Sequence, residues 1–183
     1  MPDGADPGGV SLVRHAEDGR RIYEPDGITL AAFLWDRSEI AIIRGPWGSG
    51  TSSACCQRIW QHASEQYEGS DGFQRSRWFV MRESYPKLEV TTLETWKYWF
   101  PERTYGKFYS GSRPYLHEVR FGRIVLDVWF GAVDDLQGDS IFSSLEPTGW
   151  WWNELEYTTR ESFFSGHGRV GRMPPVIEGG SKW

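Results

Sequence analysis

The spacing of apolar residues changes several times along the chain, and each change predicts an element. "ITLAAFLWDR" (28–37) reads as a short helix. "EIAIIRG" (39–45) is an apolar, β-branched run stopped by glycine, which predicts a strand. "TSSACCQRIWQHASEQYE" (51–68) predicts a helix: Ala54, Arg58 and Gln61 recur at three to four, while Ile59 and Trp60 add apolar bulk. "RWFVMRES" (77–84) is a second apolar strand. Within "YPKLEVTTLETWKYWFPE" (85–102) a helix is expected from Thr92, with Leu93, Trp96 and Trp99/Phe100 on one face and Pro101 as its stop. "YLHEVRFGRIVLDVWFGAVDD" (115–135) predicts a hairpin turning at Phe121-Gly122-Arg123. "LQGDSIFSSLE" (136–146) reads as a short helix, and "TGWWWNELE" (148–156) as a buried strand closing on a polar Asn-Glu pair. "YTTRESFFSGHGRVGRMPP" (157–175) holds a helix and then a Gly/Arg turn. Residues 1–27 read as a loose arm, with turn signals at "DG" and "EPDG".

Strands alternate with helices over most of the chain, so the expected fold is α/β with a mostly parallel central sheet flanked by helices. The 183 residues are enough for one domain with a sizeable core. A net charge of -5 argues against a polycationic nucleic-acid coat, so any DNA contact is expected to be a local patch. Lys87, Lys97, Arg103 and Lys107, with aromatics between them, are the candidate patch; the competing reading is a solvated helix face. No apolar run approaches a membrane span, and the polar, Gly/Pro-rich start predicts no secretory leader. The adjacent Cys55 and Cys56 read as small thiols packed on a helix rather than a redox pair, in keeping with a reducing compartment.

Candidate chemistry concentrates at two places. "GPWGSGTS" lies between a predicted strand and a predicted helix, the context of a phosphate-binding P-loop. Gly45, Gly48, Ser49, Gly50, Thr51 and Ser52 would bind phosphates through backbone N–H groups and hydroxyls, with Ser52 also on Mg²⁺. Thr51 stands where the usual pattern has lysine, and Arg44, just before the loop, is the nearest cation that could neutralise phosphate. The competing reading is an ordinary strand-to-helix connection. The second place is the end of the tryptophan strand, where Glu154 would position the attacking water and Asn153 would sit in the metal's outer shell. Glu156 reads as a solvated neighbour.

With both segments in view, the chain resembles the N-terminal ATPase domain of phage terminase large subunits, the DNA-packaging motors. "IIRGPWGSGTSSACC" is similar to that family's variant Walker A loop, and "TGWWWNELE" matches its Walker B position. "WFVMRESYPKLEVTTLETWKYWFPE" looks like the segment after its second strand, and "GHGRVGRMPP" resembles the Gly/Arg turn that follows. The resemblance runs from about residue 28 to the end. It implies a P-loop NTPase of the ASCE type that hydrolyses ATP with Mg²⁺ and drives double-stranded viral DNA into a procapsid. It also implies a homo-oligomeric ring, usually a pentamer, working with the portal protein and the small terminase subunit in the host cell cytoplasm, with no membrane involved. Residues 28–183 would be this ATPase domain, ending before the family's coupling motif and without its nuclease domain. Ring ATPases complete each site with a neighbour's arginine, for which Arg169, Arg172 and Arg82 are the candidates. Adenine contacts would come from Thr29 or Phe33, and His167 reads as a solvated turn residue rather than a general base.

Two departures from the family pattern bear on activity: Thr51 in place of lysine, and Asn153 in place of the commoner acid. They keep a second reading open, a catalytically impaired nucleotide-binding or ring-scaffold module. A third, an unrelated P-loop enzyme such as a kinase, would need an acceptor-site base and a lid with paired arginines, and neither is evident.

Overall fold

The computed structural model describes residues 14–17, 20–136 and 145–182. Its central element is β3 (Gln74–Arg82), buried without interruption from Trp78 onward. Such a strand has to be covered on both faces and paired on both edges. It is: β6 (Ile124–Ala132) and β7 (Gly149–Trp152) flank it, both parallel to it. Beyond β6 come β5 (Tyr115–Phe121) and then β4 (Gly106–Tyr109), each antiparallel to its neighbour. The five-stranded order is β4-β5-β6-β3-β7, a mixed sheet.

The mixed sheet corrects the mostly parallel one expected from sequence. The physical reason is connection length. Only Gly122 and Arg123 separate β5 from β6, and so short a link can only reverse the chain; a parallel crossover needs a dozen residues or more. The hairpin itself turns where the sequence places it.

One face of the sheet carries the main core. Cys56, Ile59 and Ala63 project onto it from α2 (Thr51–Ser64). Leu88, Leu93, Trp96 and Trp99 come from a continuous helical stretch: a short α3 (Tyr85–Lys87), a π-helical turn (Leu88–Leu93) and α4 (Glu94–Trp99). The sheet supplies Trp78, Val80, Val119, Leu126, Val128, Phe130 and Trp151. A single turn, α5 (Glu102–Tyr105), adds Tyr105. On the opposite face Phe79 stacks on Trp129 and tilts against Trp150, and Trp150 stacks on Trp152. Here α6 (Arg160–His167) covers the tryptophans. A Cβ on Gly166 would meet the Trp152 ring at 2.8 Å, so this helix approaches the sheet through a glycine.

Both cysteines are free thiols on α2, as expected. Burial pushes the Cys55 thiol up to about 12 and raises the Cys56 thiol well above its ordinary value, which makes both poor nucleophiles. The described part of the N-terminal arm is anchored rather than loose. Arg14–His15 (β1) pairs with Arg21–Ile22 (β2), the Arg21 guanidinium lies 4.1 Å over the Tyr98 ring, and Tyr23 meets Trp99 edge-on at 5.3 Å. α1 (Gly27–Trp35) follows where a helix was expected and buries only Leu30. Most of the short helix expected over 136–146 lies outside the described residues.

Residues 39–44 form no strand, against expectation. A strand exists through its partners, and these residues have none in the sheet: Ile42 is 76% exposed and Ile40 44%. An ion pair between Glu39 and His167 at 3.3 Å, when the imidazole is protonated, sets this segment beside α6, on the β7 side of the molecule.

Candidate functional site

The glycine loop turns tightly just before α2. Gly48 and Gly50 both sit at φ 77°, a left-handed conformation that side-chain-bearing residues enter only with strain. Left-handed glycines let a loop turn backbone N–H groups inward, and these two stand just before the 14-residue α2. The Ser49 N–H donates to the Pro46 carbonyl at 3.2 Å and closes the loop on itself. A Cβ on Gly45 would lie 2.4 Å from the Ser49 hydroxyl, so a side chain there would force Ser49 to shift. The Ser49 Oγ is buried without a hydrogen-bond partner, an orphan that a phosphate oxygen would satisfy. Ser52, half-buried in the first turn of α2, has the hydroxyl suited to a hydrated Mg²⁺. A phosphate group therefore fits these residues.

The cation is less well placed. Arg44 is exposed and makes no hydrogen bond or ion pair within the described residues. The Thr51 side chain turns back over the loop, its methyl 3.1 Å from where a Gly45 Cβ would lie. Trp47 stands fully exposed at the loop apex.

The second cluster forms at the carboxyl ends of β3 and β7, the edge at which parallel α/β sheets hold their ligands. Met81 lies opposite Trp152, and the Asn153 N–H extends the ladder to the Met81 carbonyl at 2.9 Å. That register brings Arg82 alongside Asn153 and Glu154. Arg82 is only 7% exposed, and its Nη2 donates to Glu154 Oε1 at 2.5 Å. Its Nη1 donates to the hydroxyls of Thr91 at 2.6 Å and Thr92 at 3.3 Å. Asn153 Nδ2 donates to the same Thr92 hydroxyl at 2.6 Å. The Thr91 hydroxyl sends its own proton to the Lys87 carbonyl, which leaves its lone pairs for Arg82. Glu154 has φ 60°, alone among the described non-glycine residues in being positive, and its side chain is 40% exposed.

The structure thus brings Glu154, Asn153 and Arg82 together. Arg82 is engaged inside its own chain, so service in a neighbour's site would require it to leave this network. Arg172 is exposed and Arg169 half-buried in the turn after α6, and neither side chain bonds to another described residue. His167 is no solvated turn residue: it ends α6, stacks on Phe163 and faces Glu39. Thr29 is exposed on α1, while Phe33 lies under the Arg58 guanidinium, which also donates to its carbonyl. Of the basic stretch, Lys87 pairs with Glu83, and Lys97 and Lys107 sit over the rings of Phe108 and Tyr109. Glu156 is exposed.

Sequence reasoning missed the roles of Thr91 and Thr92. The available signal was a pair of adjacent hydroxyls, both inside the stretch that carries the family resemblance, following a strand that ends on arginine. Among the described residues no group of three or more His, Cys, Asp or Glu is arranged to hold a metal, and no helix is long and apolar enough to cross a membrane. No family model, no curated protein and no solved structure matches the chain.

Proposed function

We propose that this chain is the ATPase domain of a DNA-packaging motor of the terminase large-subunit kind, coupling ATP hydrolysis to translocation of double-stranded viral DNA into a procapsid. The observation that carries the reading is the pairing, in one chain, of two features. One is a left-handed glycine loop at the start of α2; the other is a carboxylate at the carboxyl end of a parallel strand. In this reading Gly45, Gly48, Ser49, Gly50, Thr51 and Ser52 would hold the ATP phosphates, Ser52 would also serve the Mg²⁺ site with Asn153 in its outer shell, and Arg44 would swing over the loop as the cation. When bound, Mg²⁺ would neutralise the developing phosphate charge, and Glu154 would orient the attacking water. The motor would act as a ring, usually a pentamer, with the portal protein and the small subunit in the host cytoplasm, and Arg169 or Arg172 would reach a neighbour's site.

A second reading, a nucleotide-binding or ring-scaffold module without hydrolysis, is favoured by two features: Thr51 stands at the lysine position, and Arg44 is exposed. Steady-state phosphate release with Mg²⁺ and double-stranded DNA separates the two. The motor reading predicts turnover that Glu154→Gln reduces by about a hundredfold or more, the scale of losing a positioned catalytic group. Wild-type turnover no greater than that of Glu154→Gln would favour the scaffold.

A further inference from the structure

We propose that the cavity beneath the N-terminal β1–β2 hairpin binds a small aromatic carboxylate. The ring would lie among the aromatic walls, and the carboxylate would meet the Arg20 guanidinium and the Trp99 indole N–H. The proposal is independent of the ATPase reading above.

The cavity has a volume of about 150 Å³ and lies between two parts of the fold. Arg20 and Arg21 line it from the hairpin; Trp60, Trp99, Phe100 and Tyr105 line it from α2, α4 and α5. Trp60 and Tyr105 meet Phe121 at 5.9 and 5.4 Å. Phe121 pairs with Ile124, and Ile124 with Gln74, the first residue of β3. The cavity therefore sits at the amino end of the parallel strands, the edge opposite Glu154. Trp60 is also about 15 Å along α2 from Gly50 at the helical rise per residue, so this place is separate from the glycine loop.

Three observations define the ligand. First, Trp99 is 1% exposed, and its indole Nε1–H is buried with no hydrogen-bond partner. The nearby Trp96 indole, by contrast, donates to His117. A buried donor without a partner disfavours the empty cavity, and an acceptor that enters relieves it. Secondly, the described lining residues include two guanidinium groups and no Asp or Glu, so the cavity favours an anion. Arg21 is committed to Tyr98, donating to its carbonyl and lying 4.1 Å from its ring centroid. Arg20 lies 4.8 Å from the Phe121 ring centroid; a guanidinium has five in-plane N–H donors, which suit a carboxylate beside such a contact. Thirdly, the walls are aromatic and the space is about that of a cavity that admits benzene. Trp60 lies 5.5 Å from both Phe100 and Tyr105, tilted to the first and edge-on to the second, so a flat ring finds edge and face contacts there. The Gln57 amide, also on the wall, can donate or accept. A donor-rich, cationic end and an aromatic body are matched by one ring that carries a carboxylate.

The test is a proton–nitrogen NMR titration of the full chain with sodium benzoate at constant ionic strength, read at the Trp99 indole N–H. That resonance should move downfield and saturate with a Kd of about 1 mM, the scale for a ligand of so few atoms. Benzyl alcohol keeps the ring without the charge, and acetate keeps the charge without the ring; each should bind at least about tenfold more weakly. Arg20→Gln should weaken benzoate by about tenfold. Ala16→Leu, which fills the cavity from the hairpin, should abolish the shift. If Arg20→Gln loosens the hairpin, Ala16→Leu and the ligand series in the wild type carry the test. A Trp99 resonance that benzoate leaves in place would overturn the site. Equal affinity in a folded Arg20→Gln would overturn the carboxylate contact, and benzyl alcohol binding as tightly as benzoate would overturn the anionic class. Uridine monophosphate moving the same resonance at lower concentration than benzoate would also overturn it, and would make the ligand a nucleotide.

Discussion

Two buried polar networks lie against the same side of the sheet, and they are built on opposite principles. In the first, the Trp96 indole donates to His117 Nδ1 at 2.8 Å. That bond fixes the imidazole proton on Nε2, which faces the Gly106 carbonyl at 3.3 Å. Both residues are almost wholly buried, ringed by Phe100, Phe108 and Phe130, and every ring nitrogen has a partner. Burial holds the His117 imidazole down to about 4, so it stays neutral. In the second network a charged guanidinium keeps one donor unfilled, its partner carboxylate is half open to solvent, and the carboxylate's backbone is strained. A saturated, neutral network stabilises one arrangement. A charged network with an unfilled donor tolerates two, which is what a reaction site requires.

The largest effect should come from the first network. Trp96→Ala removes a fully buried indole that also satisfies His117, and denaturant unfolding should show a loss of about 3–5 kcal/mol. A loss below about 1 kcal/mol would mean that this region is not the stable half.

Acid should act on the same half. Burial lowers His117 to about 4 and His62 to about 3, against 6.5 for each as a free side chain. Above pH 6.5 both are neutral whether folded or unfolded, and they contribute no pH dependence. Below it the unfolded chain takes up protons that the folded chain refuses. Stability should fall from pH 6.5 downward, by an amount on the order of 2–4 kcal/mol by pH 5, levelling off for His117 below about 4 and for His62 below about 3. Asp71, lowered to about 2 by its hydrogen bonds from Arg75, contributes only below its unfolded value of 3.8. Thermal melts at pH 7.5 and 5 check this; equal midpoints would contradict the assigned neutral histidines.

The second network should give the smallest change in stability. Thr92→Val removes a hydroxyl that accepts from both Arg82 and Asn153, but Arg82 keeps Thr91 and Glu154, so the loss should be about 1 kcal/mol. A loss as large as that of Trp96→Ala would erase the distinction between the two networks.

The same contrast separates what the sequence reveals from what it hides. The β5–β6 hairpin was legible because alternation and a two-residue turn are local signals, and β7 because three consecutive tryptophans demand burial. The helix after Lys87 was placed too late. Val90, Thr91 and Thr92 are poor helix formers, and Leu88 and Leu93, both buried, lie five residues apart, a spacing that the ordinary helical period does not flag. Residues 39–44 have the composition of a strand, yet composition supplies no neighbour to pair with. The glycine-rich turn before α2 was legible from its composition, and Gly48 and Gly50 are left-handed there. The Arg82–Glu154 pair was not legible: its members are 72 residues apart, and only the parallel register of β3 and β7 brings them together.

The central claim is that the glycine loop is a phosphate site served by Arg44. Calorimetric titration of ATP–Mg²⁺ into the wild-type chain and into Arg44→Ala tests it most directly. The account predicts saturable binding to the wild type and a loss of at least about tenfold in affinity in the variant, the scale of one charge-assisted contact to phosphate. Equal affinity in the two chains would contradict the role given to Arg44, and binding to neither would contradict the phosphate site itself.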